Sequence, residues 1–311
     1  MSRLRELLNL LNTAGWDSRA LSDDRVAHLM ADGHTLLSQQ GISGVHIRAQ
    51  EDAEWIEAEI TVTAGTKVAN PIHLCFGMLQ RYGTQRVRMS IQLEDHSRAS
   101  FIAHCLFTNV EFGVHQMEEV VNVGKGAEMR YTEAHYHGFS GGIQVLPRVK
   151  VDVGPEGRYF SNFSLTNGRV GKLDMDYQVE SDAHSVTEMT SRVFGHVTDE
   201  IRIKEHVTLS GYRARSLIKS RVVLENEAHA KVISITEGNA EATRGHMDCM
   251  EILKDQAVAE SIPIVRVSHP LAKITHEAAI GTVDKKQMET LMSRGLTPEE
   301  AVDVIVKGLL L

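Results

Sequence analysis

Cysteine is scarce: Cys75, Cys105 and Cys249 are the three in 311 residues. They are too few and too scattered for a disulfide framework, so each is either a small buried hydrophobe or a working thiolate. No apolar run approaches the roughly 20 residues that a helix needs to cross a bilayer, which argues against a membrane role. The start, MSRLRELLNLLNTAGW, lacks a signal-peptide core followed by a small-residue cleavage site. The expectation is therefore a cytoplasmic protein. Positive charge is in deficit, with 33 Lys and Arg against 41 Asp and Glu and a formal net charge of −8. That argues against nucleic acid as the main partner. Common enzyme signatures are missing too. There is no G-x-x-x-x-G-K-[ST] for P-loop ATP hydrolysis, no G-x-G-x-x-G after a strand, no G-x-S-x-G elbow and no H-E-x-x-H. Without a C-x-x-C, a ribbon-type structural zinc site is excluded. What is left is an ordinary globular composition, 42% hydrophobic and 24% charged, long enough for two domains or one continuous fold.

The chain reads in three parts. Residues 1–41 look helical. Leu4, Leu7, Leu8 and Leu11 recur at helical spacing before Gly15. A second helix is predicted to open near Ser22-Asp23-Asp24, with Val26, Leu29, Met30, Leu36 and Leu37 as its apolar face and a break at Gly33. Residues 42–282 alternate instead, as in Ile56, Ala58, Ile60 and Val62. Short polar breaks at 93, 123, 153, 209 and 224 resemble one another at spacings of 30 and 15. Such self-similarity is the mark of stacked rungs, so a β-helix is favoured over a β-sandwich. Residues 283–311 turn helical again. Asp284 with Gln287 caps one predicted helix, and Thr297-Pro298-Glu299-Glu300 forms a capping box for another. The fold class expected is mainly β, a β-helix solenoid flanked by helical segments.

Chemistry falls to sixteen histidines and one thiol in polar company. His135 and His137 share a strand face and could chelate a divalent metal, against the simpler reading of an exposed strand face. Cys75 and Cys105 lie in apolar strands and read as buried structural thiols. In Gly245-His246-Met247-Asp248-Cys249-Met250-Glu251, alternation puts Cys249 and Glu251 on one face. His276-Glu277 follows one or two rungs later. A Cys/His/Glu cluster would suit iron better than magnesium or calcium, and the alternative is a buried cysteine beside surface acids.

Residues 245–309 resemble the end of the SufB/SufD family, β-helical scaffold subunits of the SUF iron–sulfur cluster assembly machinery. The stretches that carry the resemblance are Ala259-Glu-Ser-Ile-Pro263, Thr275-His-Glu-Ala-Ala-Ile-Gly-Thr-Val-Asp284 and Leu291-Met-Ser-Arg-Gly-Leu-Thr-Pro-Glu-Glu-Ala301. Lys219-Ser-Arg-Val-Val-Leu-Glu225 is similar to a further family strand. The short length is closer to the compact SufB-like, SmsB-type scaffolds of two-component systems. The resemblance implies a non-enzymatic scaffold that carries a transient iron–sulfur cluster, or iron alone. It implies a SufC-like ABC ATPase on the C-terminal helices, a homodimer, a sulfur donor and apo-protein acceptors. It points to Cys249, His276 and Glu277 as ligands, with His246 and Glu251 as auxiliary ligands or proton carriers. The family interval back from Glu277 falls on Asp248, one residue from Cys249, and a one-residue slip in a strand reverses its facing. The rival readings are a SufD-like partner scaffold that ligates no cluster, and a stand-alone β-helix enzyme.

Overall fold

The computed structural model describes residues 2–310, in which helices flank nineteen strands, β1–β19 in chain order. From β4 (Ile56–Val62) onward, even strands build one sheet and odd strands the other, and neighbours within each sheet are parallel. Arg98, Glu128, Arg158, Val186, Arg215, Arg244 and Lys273 stand in register on successive odd strands, so one rung takes 28 to 30 residues. A β-sandwich built from hairpins would pair antiparallel neighbours, so the parallel ladders settle the fold as a β-solenoid.

Alternation sends every second side chain inward. Ile91, Val121, Val151, Val179 and Val207 stack in one column between the sheets, all buried. Each such burial is worth roughly 1.5–3 kcal/mol, which is what drives the coil shut. The corners oppose it slightly. His96, Glu156, His184 and Arg213 all have φ near +60°, a left-handed conformation costing a side-chain-bearing residue roughly 1–2 kcal/mol. Backbone bonds from rung to rung offset this. The amides of His96, Glu156, His184 and Arg213 donate to the carbonyls of Lys125, Ala183, Tyr212 and Glu241 at 2.8–3.0 Å.

The N-terminal end departs from expectation. The predicted helix α1 forms over Arg3–Thr13, but the second predicted helix does not form: a 3₁₀ turn (Ser18–Ser22) ends where it was to open, and its apolar residues lie mostly on two strands. β1 (His28–Asp32) and β2 (Thr35–Gln40) form an antiparallel hairpin around Gly33, which takes φ +57°. β1 is buried at every position, so it shows no alternation, and its leucine and methionine then pass for a helix stripe. The hairpin closes one sheet and β3 (Val45–Glu51), antiparallel to β4, closes the other. α1 lies on the outer face of the odd-strand sheet, with Leu7 and Leu11 packed on Met30, Cys75 and Leu106. Gly77 permits that approach, since a Cβ there would stand 2.4 Å from Leu7.

At the other end, α2 (Lys285–Met292) and α3 (Pro298–Leu310) form where the capping residues placed them. Asp284 accepts from the Gln287 amide at 2.7 Å, and Thr297 and Glu300 bond reciprocally at 2.8 and 3.2 Å. Val306 of α3 packs on Val223 and Ile252, again on the outer face of the odd-strand sheet. The lumen itself stays open here. Val265 and Val267 of β18 (Val258–Val267) and Ile280 of β19 (Lys273–Gly281) are 38%, 49% and 45% exposed. Glu251, the residue in register with Ile280 one rung in, is 1% exposed. No helix among the described residues is long and apolar enough to cross a membrane.

Candidate functional site

β17 (Arg244–Leu253) and β19 carry the residues singled out near the C-terminus. Burial alternates along β17, with Met247, Cys249 and Glu251 inward and His246 and Asp248 outward. Cys249 stands in register with Ser220 of β15 (Arg215–Leu224), and its Sγ is 3.4 Å from the hydroxyl of Ser234 on β16 (His229–Gly238). Burial pushes the thiol up, and the nearby carboxyls of Glu251 and Glu205 push it further. Burial also raises Glu251 to about 7, with Ser261 donating to Oε1 at 3.4 Å while Oε2 has no partner among the described residues.

Parity then separates the remaining candidates. His276 pairs with Met247, Glu277 with Asp248 and Ala278 with Cys249. In a parallel ladder, residues in register share a face, so His276 lies on the lumen side of the last rung and Glu277 on the outer side. Both are exposed. His246, also outward, has its Nδ1 2.8 Å from the Thr275 hydroxyl. Asp248 accepts from Arg221 at 2.5 Å. The structure thus brings Cys249 and Glu251 together, sets His276 one rung out on the same side, and places His246 and Glu277 on the opposite face with Asp248. Counting the 29-residue rung back from Glu277 finds this arrangement in the sequence.

Cys249 ends a polar column that sequence reasoning missed. On the odd-strand sheet, Ser191, Ser220 and Cys249 follow one another in register, with Glu133 two rungs before Ser191. Tyr177, Glu205 and Ser234 do the same on the even-strand sheet, with Glu119 two rungs before Tyr177. All are buried. Burial raises the carboxyls of Glu119 and Glu205 to about 8, so both hold a proton at neutral pH.

The exposed reading of His135 and His137 is corrected. They are 2% and 3% exposed and point into the lumen with Met129, Tyr131 and Glu133. The parity of Met129 was the available signal. Cys75 and Cys105 are buried, as expected, but only Cys75 sits among apolar side chains outside the lumen. The Sγ of Cys105 is 3.9 Å from His115 Nε2 and faces the same interior as His135.

Residues 78–309 match the family profile described as SUF system FeS cluster assembly, SufBD core domain. An iron–sulfur cluster assembly SufBD family protein of Methanocaldococcus jannaschii is 38% identical over 315 residues, covering 100% of this chain and 99% of that one. A second, from Pyrococcus horikoshii, is 31% identical over 98% of this chain and 92% of its own length. Similarity to the iron–sulfur cluster assembly protein SufB of Bacillus subtilis is 33% over 70 residues, 22% of this chain.

Proposed function

Because this chain belongs to the SufBD family of iron–sulfur cluster assembly proteins, we propose that it is a scaffold on which such a cluster is built at the open end of the solenoid. The observation that carries this reading is the last rung. It leaves His276 on the lumen side and Glu277 on the outer side, both exposed, with Cys249 one strand inside. Iron and sulfur are the cargo, delivered by a sulfur donor and passed to apo-protein acceptors. A labile cluster is better served by mixed Cys, His and Glu donors than by four thiolates. Cys249 must lose its proton to ligate, and Glu251 on the same face, raised to about 7, is suited to receive it.

A SufC-like ABC ATPase would dock on α2 and α3. A second copy of this chain would meet the open end, covering Val265, Val267 and Ile280 and continuing the sheets that otherwise end in bare edges. ATP hydrolysis then belongs to the separate subunit, and movement of the helices against Val223 and Ile252 would loosen the rung that holds Cys249.

A second reading is favoured by one observation. Cys249 faces Ala278 and not Glu277 across the ladder, which suits a SufD-like partner scaffold that binds the ATPase without ligating a cluster. Anaerobic co-expression with the ATPase, followed by iron and sulfide analysis, separates the two. The scaffold reading expects a brown wild-type complex, a colourless Cys249→Ala complex and loss of cluster in His276→Ala. A complex that stays free of iron and sulfide after reconstitution would leave the partner-scaffold reading standing.

A further inference from the structure

The geometry points to a second, interior metal site, in which Cys105, Glu133 and His135 bind one divalent transition-metal ion, with His115 beside Cys105. It lies at the other end of the lumen from Cys249. β7 (Arg98–Phe107) and β9 (Glu128–His137) set Cys105 in register with His135, with Glu133 two residues before it. Ligand atoms of Cys105, Glu133 and His135 all lie within 4.8 Å of one another, and all three residues are buried. From the facing sheet, β8 (Phe112–Val123) turns the Nε2 of His115 to 3.9 Å from Cys105 Sγ. Thiolate, imidazole and carboxylate together are the donors of zinc and ferrous sites, not of magnesium or calcium.

The hydrogen bonds around the cluster leave a place in it for one positive species, a proton or a metal ion. The Arg169 carbonyl, 3.2 Å from His137 Nδ1, can only accept, so that nitrogen carries the hydrogen. In the neutral His137 ring, Nε2 is then a bare acceptor. That nitrogen is 3.2 Å from His135 Nδ1, which must therefore be the donor. A neutral His135 then aims the lone pair of Nε2 at Glu133 Oε1, 2.8 Å away, two acceptors face to face. Something positive has to lie between them. A proton would satisfy that pair, but it would leave the Cys105 thiol, within 4.8 Å of both ligand atoms, without a part in the cluster.

A divalent ion accounts for all three. On binding, two protons leave to solvent: the one on the Cys105 thiol and the one shared by Glu133 and His135. One thiolate and one carboxylate then cancel the 2+ charge, so a neutral assembly is buried where any net charge would be expensive. The outer bonds are those that orient metal ligands. His137 and the Arg169 carbonyl fix the tautomer of His135, and the Tyr177 hydroxyl donates to Glu133 Oε2 at 2.9 Å. Phe107 and Phe163, with ring centroids 4.9 Å from His115 and 5.1 Å from His135, wall the site from water. A cavity of about 300 Å³ lined by Trp16, His104 and Tyr136 also touches His135 at this rung.

The test is titration of the chelator-treated full chain with Co²⁺, followed by thiolate-to-cobalt charge transfer and X-ray absorption. The expected result is one equivalent bound, sulfur among the atoms bonded to cobalt, and displacement by Zn²⁺. The band should survive Cys249→Ala, vanish in Cys105→Ser, and weaken in affinity about 10-fold or more in Tyr177→Phe. Should Cys105→Ser fail to fold, the wild-type absorption spectrum still decides. Cobalt bound without sulfur, a band lost with Cys249→Ala, or a wild type that takes up no Co²⁺ even when refolded with it would overturn the proposal. None of these outcomes depends on cluster assembly or on the ATPase.

Discussion

The two ends of this solenoid are made of the same rung and finished in opposite ways. At the N-terminal end the period breaks. Two antiparallel pairings close the sheets, and α1 seals the outer face with Leu7 at 0% and Leu11 at 1% exposure. At the C-terminal end the period runs to the last strand, and Ile280 is left 45% exposed on the lumen side. A repeat cannot cap itself, because each rung buries its face only on the next one. Capping takes sequence that departs from the repeat, and where none is supplied the exposed rung is free for another molecule.

The contrast can be broken most sharply at Leu7. Leu7→Ala should cost about 2–5 kcal/mol in chemical denaturation, because the helix cannot settle further into the space left against Gly77. A loss under about 1 kcal/mol would mean that the N-terminal cap is not part of the cooperative unit.

The interior should respond to pH in a direction set by its carboxyls. Glu119 and Glu205, raised to about 8, are protonated in both folded and unfolded chains below about pH 4.5. As pH rises, the unfolded chain ionises first, so stability should fall between about pH 5 and pH 8, by on the order of a few kcal/mol. Glu205→Gln should flatten part of that slope. Glu251→Gln, nearer the open end and raised only to about 7, should flatten less of it. Thermal unfolding across that range checks both, and a stability that climbs with pH would refute the assignment.

Smaller effects belong to the C-terminal end. Thr297→Ala removes one half of the α3 capping box and should cost about 1 kcal/mol, read as faster amide exchange confined to α3. Ile280→Ala should cost under about 0.5 kcal/mol in the monomer, since its side chain is already half in water. A penalty on the scale of Leu7→Ala would show that the open end is covered in solution.

Much of this was legible in the chain. The 30-residue echo of the corners gave the rung, and Asp284 and Thr297 marked both terminal helices. Two kinds of feature were not read. Strand β1, buried on both faces, loses the alternation that distinguishes a strand from a helix. His135 and His137 looked solvent-facing because histidine is usually outside, although their parity with Met129 places them inside. For the candidate site, facing was readable for Cys249 and Glu251 within one strand. Which of His276 and Glu277 shares the face of Cys249 needed the register between strands, which rests on corner length and is lost with a single miscounted residue.

The difference between the two ends also bears on the proposed pairing of two copies. Parallel strands stacked end to end could in principle add copies without stop, as fibrils do. Here one terminus offers free strand edges and the other presents antiparallel strands under a helix. In the proposed pairing each copy would contribute its last rung, and the two ends left outside would both be the antiparallel strands that break the repeat.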